Sequence, residues 1–200
     1  RFLAMTRRDA LPAVLDGIDA AIEAGFAPVK VNTVLVRGVN DDEAVDFAAF
    51  GRDKGVEVRF TESMPLDAAH QWTRDHVVPA DETLATIDAA FPLEPVAPHG
   101  AAPATTYRYK DGRGTVGVIP SVTRPFCGDC DRVRLTAEGR FRTCLFATEE
   151  TDLRAVLRRG GGDDDLARAI EAAVGTKWAG HQIGQVDFIR PSRSMSQIGG

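Results

Sequence analysis

The chain's three cysteines stand as Cys127-x2-Cys130-x13-Cys144, and the segment that carries them, CGDCDRVRLTAEGRFRTC, also holds Arg132, Arg134, Arg140 and Arg142. Three thiolates beside a group of guanidinium ions resemble a metal centre built to hold an anionic ligand. A CxxC pair by itself serves zinc knuckles, redox dithiols and iron-sulfur clusters alike. Redox exchange needs only the pair, normally at the start of a helix, whereas here Gly128, Asp129 and the strand-like VRLT do not open one. A closed zinc site wants a fourth ligand. His70, His76, His99 and His181 all lie outside the segment at spacings that match no finger pattern, although one of them could still complete a site in space. A cubane 4Fe-4S cluster on three cysteines would keep one iron open for a substrate nitrogen or oxygen. The leading reading is therefore a catalytic or substrate-binding cluster, with a zinc-stabilised interaction module as the alternative.

Charge supports a local rather than a general role for these arginines. The 200 residues are 44% hydrophobic with a formal charge of -5, long enough for a sizeable core and one or two domains. An acidic balance disfavours a general nucleic-acid binder. Between Arg124 and Arg142 the field reverses, with arginines at 124, 132, 134, 140 and 142 against Asp129, Asp131 and Glu138. There is no apolar run of about twenty residues, so no membrane span is expected. The opening RFLAMTRRDALPAVL has basic and then apolar residues, but Asp9 and Pro12 interrupt any signal-peptide core. Cysteines grouped around one site fit a reducing, cytoplasmic setting better than a disulfide framework.

The elements that must position the site are α/β in pattern. Thr6 and Asp9 have capping-box spacing ahead of Ala10, Leu11, Val14, Leu15, Ile18 and Ile22, which recur with a helical period up to Gly25. VKVNTVLV, residues 29–36, is β-branched and nearly continuous in hydrophobicity, which predicts a buried parallel strand. Asn40 with Glu43 suggests the cap of a second helix ending before Gly55, and VEVRFTE reads as a second strand. Helix, strand, helix, strand at this spacing implies parallel α/β units from a sheet or barrel. SMPLDAAHQWTRDHVVPAD is irregular and places Met64, Pro65, His70 and Trp72 in a loop at the C-terminal end of the second strand, where barrels carry active-site loops. A short helix at 81–90, a Pro/Ala linker at 92–104 and a hairpin of TTYRY with TVGVIPS precede the cysteines. Helices near 152–157 and 166–174 and a polar tail follow them.

Taken together, KVNTVLVRGVNDDE, VRFTESMPLD, PFCGDCDRVRLTAEGRFRTCLF and the terminal MSQIGG resemble the C-terminal part of the GTP 3',8-cyclase family, over essentially the whole chain. These are radical S-adenosylmethionine enzymes that begin molybdenum cofactor biosynthesis. Thr61 and Ser63 depart from the family, which often has an isoleucine and a hydrophobic residue there. The resemblance implies the C-terminal portion of an incomplete TIM-like barrel over 1–95, followed by an α+β cluster-binding region with the tail over 96–200. It also implies two 4Fe-4S clusters. One would be held by Cys127, Cys130 and Cys144, with its open iron on the purine of GTP. The other would lie on an N-terminal Cx3Cx2C motif absent from this sequence, where it cleaves S-adenosylmethionine to a 5'-deoxyadenosyl radical. Without that motif the chain alone is expected to be inactive.

Residue roles follow by position. Arg132 and Arg134 match the family's substrate-binding arginines, and their alternation would put both on one face of a short strand. Lys30 matches a GTP-contacting lysine, Arg59 an active-site arginine and Met64 a position that contacts S-adenosylmethionine. On residue type alone, Lys30 reads as a strand-end lysine and Met64 as core filling. Asn32, Glu62 and Pro65 would shape the same floor, with Glu62 able to pair with Arg59. Arg140 and Arg142 read as solvated or structural, and Thr136 as satisfying the backbone of the Glu138-Gly139 turn. Gly199 and Gly200 match a double glycine that enters the family's active site. Arg190, Arg193 and Met195 would help dock that tail, whose default is a disordered polar terminus. Implied partners are GTP, a second copy in a homodimer, an external electron donor and, in the pathway, cyclic pyranopterin monophosphate synthase. Another radical S-adenosylmethionine enzyme with an auxiliary cluster would also explain the cysteines, but not the tail or the arginine pair.

Overall fold

A computed structural model describes residues 1–67, 71–98, 100–177 and 188–198. It divides the chain into two compact units, Arg1–Ser63 with Asp75–Thr123 and Met64–Arg74 with Arg124–Gly200. The division differs from one at residue 95, because the hairpin expected after the linker continues the sheet of the first unit.

In that first unit, helices α1 (Phe2–Thr6) and α2 (Leu11–Glu23) precede strand β1 (Lys30–Leu35). Helix α3 (Ala44–Lys54), strand β2 (Glu57–Glu62) and helix α4 (Ala80–Ala90) follow, and then strands β3 (Leu93–Pro95), β4 (Thr105–Tyr109) and β5 (Thr115–Ile119). The sheet runs β1-β2-β5-β4-β3, parallel from β1 to β5 and antiparallel beyond. The expected β-α-β unit is β1-α3-β2.

The sheet gathers its buried apolar side chains on one face. Leu35, Val58, Phe60, Val116 and Val118 are packed with Ala44 and Ala48 of α3 and Ile87 of α4. Gly51 lets α3 lie this close, since a Cβ there would stand 2.9 Å from Val58 Cγ2 and 3.0 Å from the Val56 carbonyl oxygen. Along β1 the alternate residues Lys30, Asn32 and Val34 are exposed. The strand expected to be buried is thus covered on one side, and its polar residues mark the open side.

Two helix starts also differ from the caps read in the sequence. Thr6 closes α1, its hydroxyl donating to the Phe2 carbonyl at 2.7 Å, and α2 has no side-chain cap. Asn40 turns back to the strand instead, accepting from the Val36 N–H at 2.7 Å and donating to the Val34 carbonyl at 3.0 Å. An asparagine that meets a strand end and a helix start can serve either, and here a single 3-10 turn, Asp41–Glu43, separates it from α3.

The second unit carries a three-stranded antiparallel sheet, β6 (Arg134–Leu135), β7 (Arg140–Arg142) and β8 (Thr151–Asp152), with helices α5 (Leu153–Arg158) and α6 (Asp163–Gly175). Phe141, Leu153 and Ala173 form its core, with Leu166, Ala169 and Ile170 packed against them. Asp152 caps α5 by accepting from the Ala155 N–H at 2.8 Å. Helix α6 begins earlier than its apolar period suggests. Asp163, Asp164 and Asp165 form its first turn, where the helix dipole favours negative charge. Among the described residues no helix is long and apolar enough to cross a membrane.

Candidate metal centre and polar sheet face

The cysteine segment starts with a 3-10 turn, Cys127–Asp129, closed by the Cys130 N–H donating to the Cys127 carbonyl at 3.2 Å. This turn carries the CxxC pair on irregular backbone, as the Gly128-Asp129 sequence implies. None of the three cysteines is in a disulfide, and each is half-buried.

Cys130 is surrounded by donors and positive charge. Arg132 Nη2 lies 3.5 Å from its sulfur and Lys177 Nζ 3.8 Å. Burial pushes the Cys130 thiol up, but the Arg132 N–H, its guanidinium and the Lys177 charge outweigh that and hold it below its ordinary value. Arg132 also stacks over the Phe126 ring at 4.6 Å, while Lys177 Nζ donates to the Arg132 carbonyl at 2.7 Å. Cys144 accepts from the Phe146 N–H at 3.4 Å.

Arg132 precedes strand β6, which is only two residues long, so the strand does not set it in alternation with Arg134. Arg134 is half-buried, and its Nη1 donates to the Ile198 carbonyl at 3.2 Å. Arg140 pairs with Asp152 at 3.0 Å. Arg142 is 3% exposed, pairs with Glu150, and donates to the Ala147 carbonyl in the loop after Cys144. Both arginines are therefore structural in the described contacts. The Thr136 hydroxyl oxygen accepts from the Arg140 N–H at 3.1 Å and its hydroxyl bonds the Glu138 carboxylate, while its carbonyl takes the Gly139 N–H at 2.9 Å, which closes the turn.

The tail is docked through Ile198. The Met195 N–H donates to the Leu66 carbonyl at 3.1 Å, Arg190 Nε donates to the Pro65 carbonyl at 2.9 Å and its Nη2 to Asp67, and Arg193 Nε pairs with Glu150 at 2.7 Å. Ile198 is fully buried, which corrects the expectation of a disordered terminus for the residues up to that point. Gly199 and Gly200 lie outside the described residues, as do His70, His99 and His181.

Met64 is half-buried at the start of the second unit, and its carbonyl accepts from the Leu66 N–H at 2.8 Å. Lys30 and Arg59 belong to the first unit. Lys30 is exposed and Asn32 shares its face, in register with Glu57 and Arg59 of β2. Arg59 Nε donates to Glu57 at 2.5 Å rather than to Glu62. Positions 59 and 62 fall on opposite faces of a strand, and Glu62 is buried on the helix side. There it accepts from the N–H groups of Ala80, Val122 and Thr123.

The donor set fits a 4Fe-4S cluster in its chemistry: three reduced thiols, one biased toward the thiolate, with cationic side chains against its sulfur. Among the described residues no three His, Cys, Asp or Glu side chains converge as ligands of a single ion would. The three thiolates of a cubane each bind a different iron and need not converge on one point. Sequence reading missed Lys177, Glu57 and Glu150. Lys177 lies far from the cysteines along the chain, and the two glutamates sit among ordinary surface charges.

Residues 56–183 match the family described as Molybdenum Cofactor Synthesis C. The whole chain is similar to proteins named GTP 3',8-cyclase. It is 50% identical to that of Streptomyces coelicolor over 59% of the relative's length, and 48% identical to that of Mycolicibacterium smegmatis over 56%. A relative from Corynebacterium glutamicum is 47% identical over 55% of its length. The chain thus spans a little over half the length of these relatives.

Proposed function

Because the chain belongs to the Molybdenum Cofactor Synthesis C family, we propose that it is the C-terminal portion of a GTP 3',8-cyclase. The reaction converts GTP to (8S)-3',8-cyclo-7,8-dihydroguanosine 5'-triphosphate in molybdopterin biosynthesis, joining ribose C3' to guanine C8 after hydrogen is removed from C3'. In this reading the first unit is the C-terminal part of a partial radical S-adenosylmethionine barrel. The observation that carries the proposal is the set of three cysteines, inside the family-matching segment, with Arg132 and Lys177 on the Cys130 sulfur.

Cys127, Cys130 and Cys144 would hold a 4Fe-4S cluster, which when bound supplies an open iron for a purine nitrogen or oxygen. The remaining work falls to side chains. Arg132 and Lys177 hold Cys130 in the form a ligand needs. Arg134 offers a planar fork to GTP acceptors and also grips the tail, and Lys30 and Arg59 supply cations on the open sheet face. Met64 would contact S-adenosylmethionine, and Gly199 and Gly200 would complete the site. The second cluster and the radical-forming step belong to the longer protein, which would act as a homodimer fed by an external electron donor. Cyclic pyranopterin monophosphate synthase would consume its product.

The test is anaerobic iron, sulfide and zinc analysis of the reconstituted full-length protein, read with electron paramagnetic resonance during a GTP titration. Replacing the three cysteines by alanine is expected to remove about four irons and four sulfides per chain, together with the GTP-dependent spectrum. One zinc in place of those irons, with no response to GTP, would overturn the assignment in favour of a structural metal module.

A further inference from the structure

We infer that Glu57, Thr115 and Gly117 are positioning residues that preset the guanidinium of Arg59 for an anionic ligand on the open face of the first unit's sheet. This rests on the reading of Arg59 as a substrate-side residue of a GTP cyclase. Arginine is long and loses much rotamer freedom when it binds, so a guanidinium fixed beforehand binds more tightly than a mobile one.

Three neighbours restrict it. Glu57, two residues earlier on the same face of β2, accepts from Arg59 Nε at 2.5 Å. The Glu57 carboxylate is held in turn by Thr115 of β5, whose hydroxyl donates to its other oxygen at 2.8 Å. Gly117, in register with Arg59, leaves room for the side chain to lie across β5: a Cβ there would stand 3.0 Å from Arg59 Cγ and 3.4 Å from Ala104 Cβ. The Arg59 side chain is 15% exposed. Its grip uses Nε alone, and its two Nη groups have no hydrogen-bond partner among the described residues. Those Nη groups form the edge of the fork that takes two oxygens of a phosphate.

The sign of the effect separates positioning from plain electrostatics. Removing Glu57 makes the face more positive, which by charge alone would tighten an anion. Loss of positioning loosens it. The measurement is the GTP dissociation constant of the reconstituted full-length enzyme without S-adenosylmethionine, with inorganic tripolyphosphate as a second probe. Glu57→Ala is expected to weaken GTP by about tenfold, the scale of one charge-assisted hydrogen bond. Glu57→Gln, which keeps an acceptor for Nε, should recover part of it, and Thr115→Val and Gly117→Ala should weaken GTP in the same direction. In an Arg59→Ala background none of these changes should matter further. Unchanged or tighter binding in Glu57→Ala, or a loss that persists without Arg59, overturns the positioning role. Wild-type affinity in Arg59→Ala alone would instead overturn the reading of Arg59 itself, and this inference with it.

Discussion

Arg134 Nη1 donates to the carbonyl oxygen of Ile198 at 3.2 Å, joining the cysteine segment to the last described residue of the tail. Burial pushes the Arg134 pKa down, and repulsion from Arg132 and Arg142 adds to this, with Cys144 acting the other way. A half-buried cation among like charges is stabilised by carbonyl acceptors, and Ile198 supplies one. The same arginine that we propose as a substrate contact thus also holds the tail.

Arg134→Ala should therefore loosen the tail as well as weaken substrate. A hydrogen bond to a charged group contributes about 1.5–3 kcal/mol. The Ile198 N–H, which donates to the Met195 carbonyl at 3.2 Å, is expected to exchange with deuterium faster in the variant. Unaltered exchange over 195–198 would mean that the other tail contacts suffice.

Glu150 ties the loop after Cys144 to the tail. It pairs with buried Arg142 and, at 2.7 Å, with Arg193 Nε. Burial raises its pKa, but the two arginines outweigh this and hold it below its ordinary value of 4.5. A carboxylate with a depressed folded pKa contributes stability that is present above its unfolded value and lost as pH falls through the folded one. Thermal melts of the wild type should accordingly fall between about pH 5 and 3 more steeply than those of Glu150→Gln. Near neutral pH the variant should already be weaker by about 3 kcal/mol, because Arg142 is left buried without a counterion. Parallel melting curves across that range would remove Glu150 from the account.

What could be read from the chain divides along physical lines. The β1-α3-β2 unit and the hairpin were legible because periodicity and turn residues are local signals. The burial of β1 was overestimated, since VKVNTVLV is apolar enough to hide its alternation, and Lys30 and Asn32 were the better guide. The approach of Arg132 to Cys130 was legible by spacing and type. Lys177 and Glu150 were not, because nothing local distinguishes a cation or carboxylate that meets its partner only after folding.

Arg52 should be a stability residue of the first unit. Its guanidinium lies 4.3 Å from the Phe91 ring centre and 4.6 Å from that of Tyr109, and its Nη2 pairs with Asp111 at 2.5 Å. The side chain is only 7% exposed, so the stacking is largely desolvated. Arg52→Ala is expected to cost about 2 kcal/mol. Arg52→Lys should recover little, because an ammonium cannot stack its plane on two rings while keeping a forked carboxylate contact. Urea unfolding would measure both, and a lysine variant as stable as wild type would show that charge alone matters.

Glu62 offers the sharpest test of how the first unit is closed. It is 2% exposed, and its carboxylate takes the Ala80 N–H at 2.9 Å, the Val122 N–H at 2.7 Å, the Thr123 N–H at 2.8 Å and the Thr123 hydroxyl at 2.5 Å. These donors come from the start of α4 and from the segment after β5, so one side chain fastens both to the end of β2. Each buried donor left without an acceptor costs about 1–3 kcal/mol. With four affected, Glu62→Ala should consume much of the roughly 5–15 kcal/mol that holds a domain together. Glu62→Gln replaces one acceptor by an NH2 facing donors, and should fall between. If Glu62 instead paired with Arg59, as residue type first suggests, Arg59→Ala would reproduce the loss of Glu62→Ala. The strand's alternation requires the opposite: a large loss of unfolding free energy for the glutamate variant and a small one for the arginine variant.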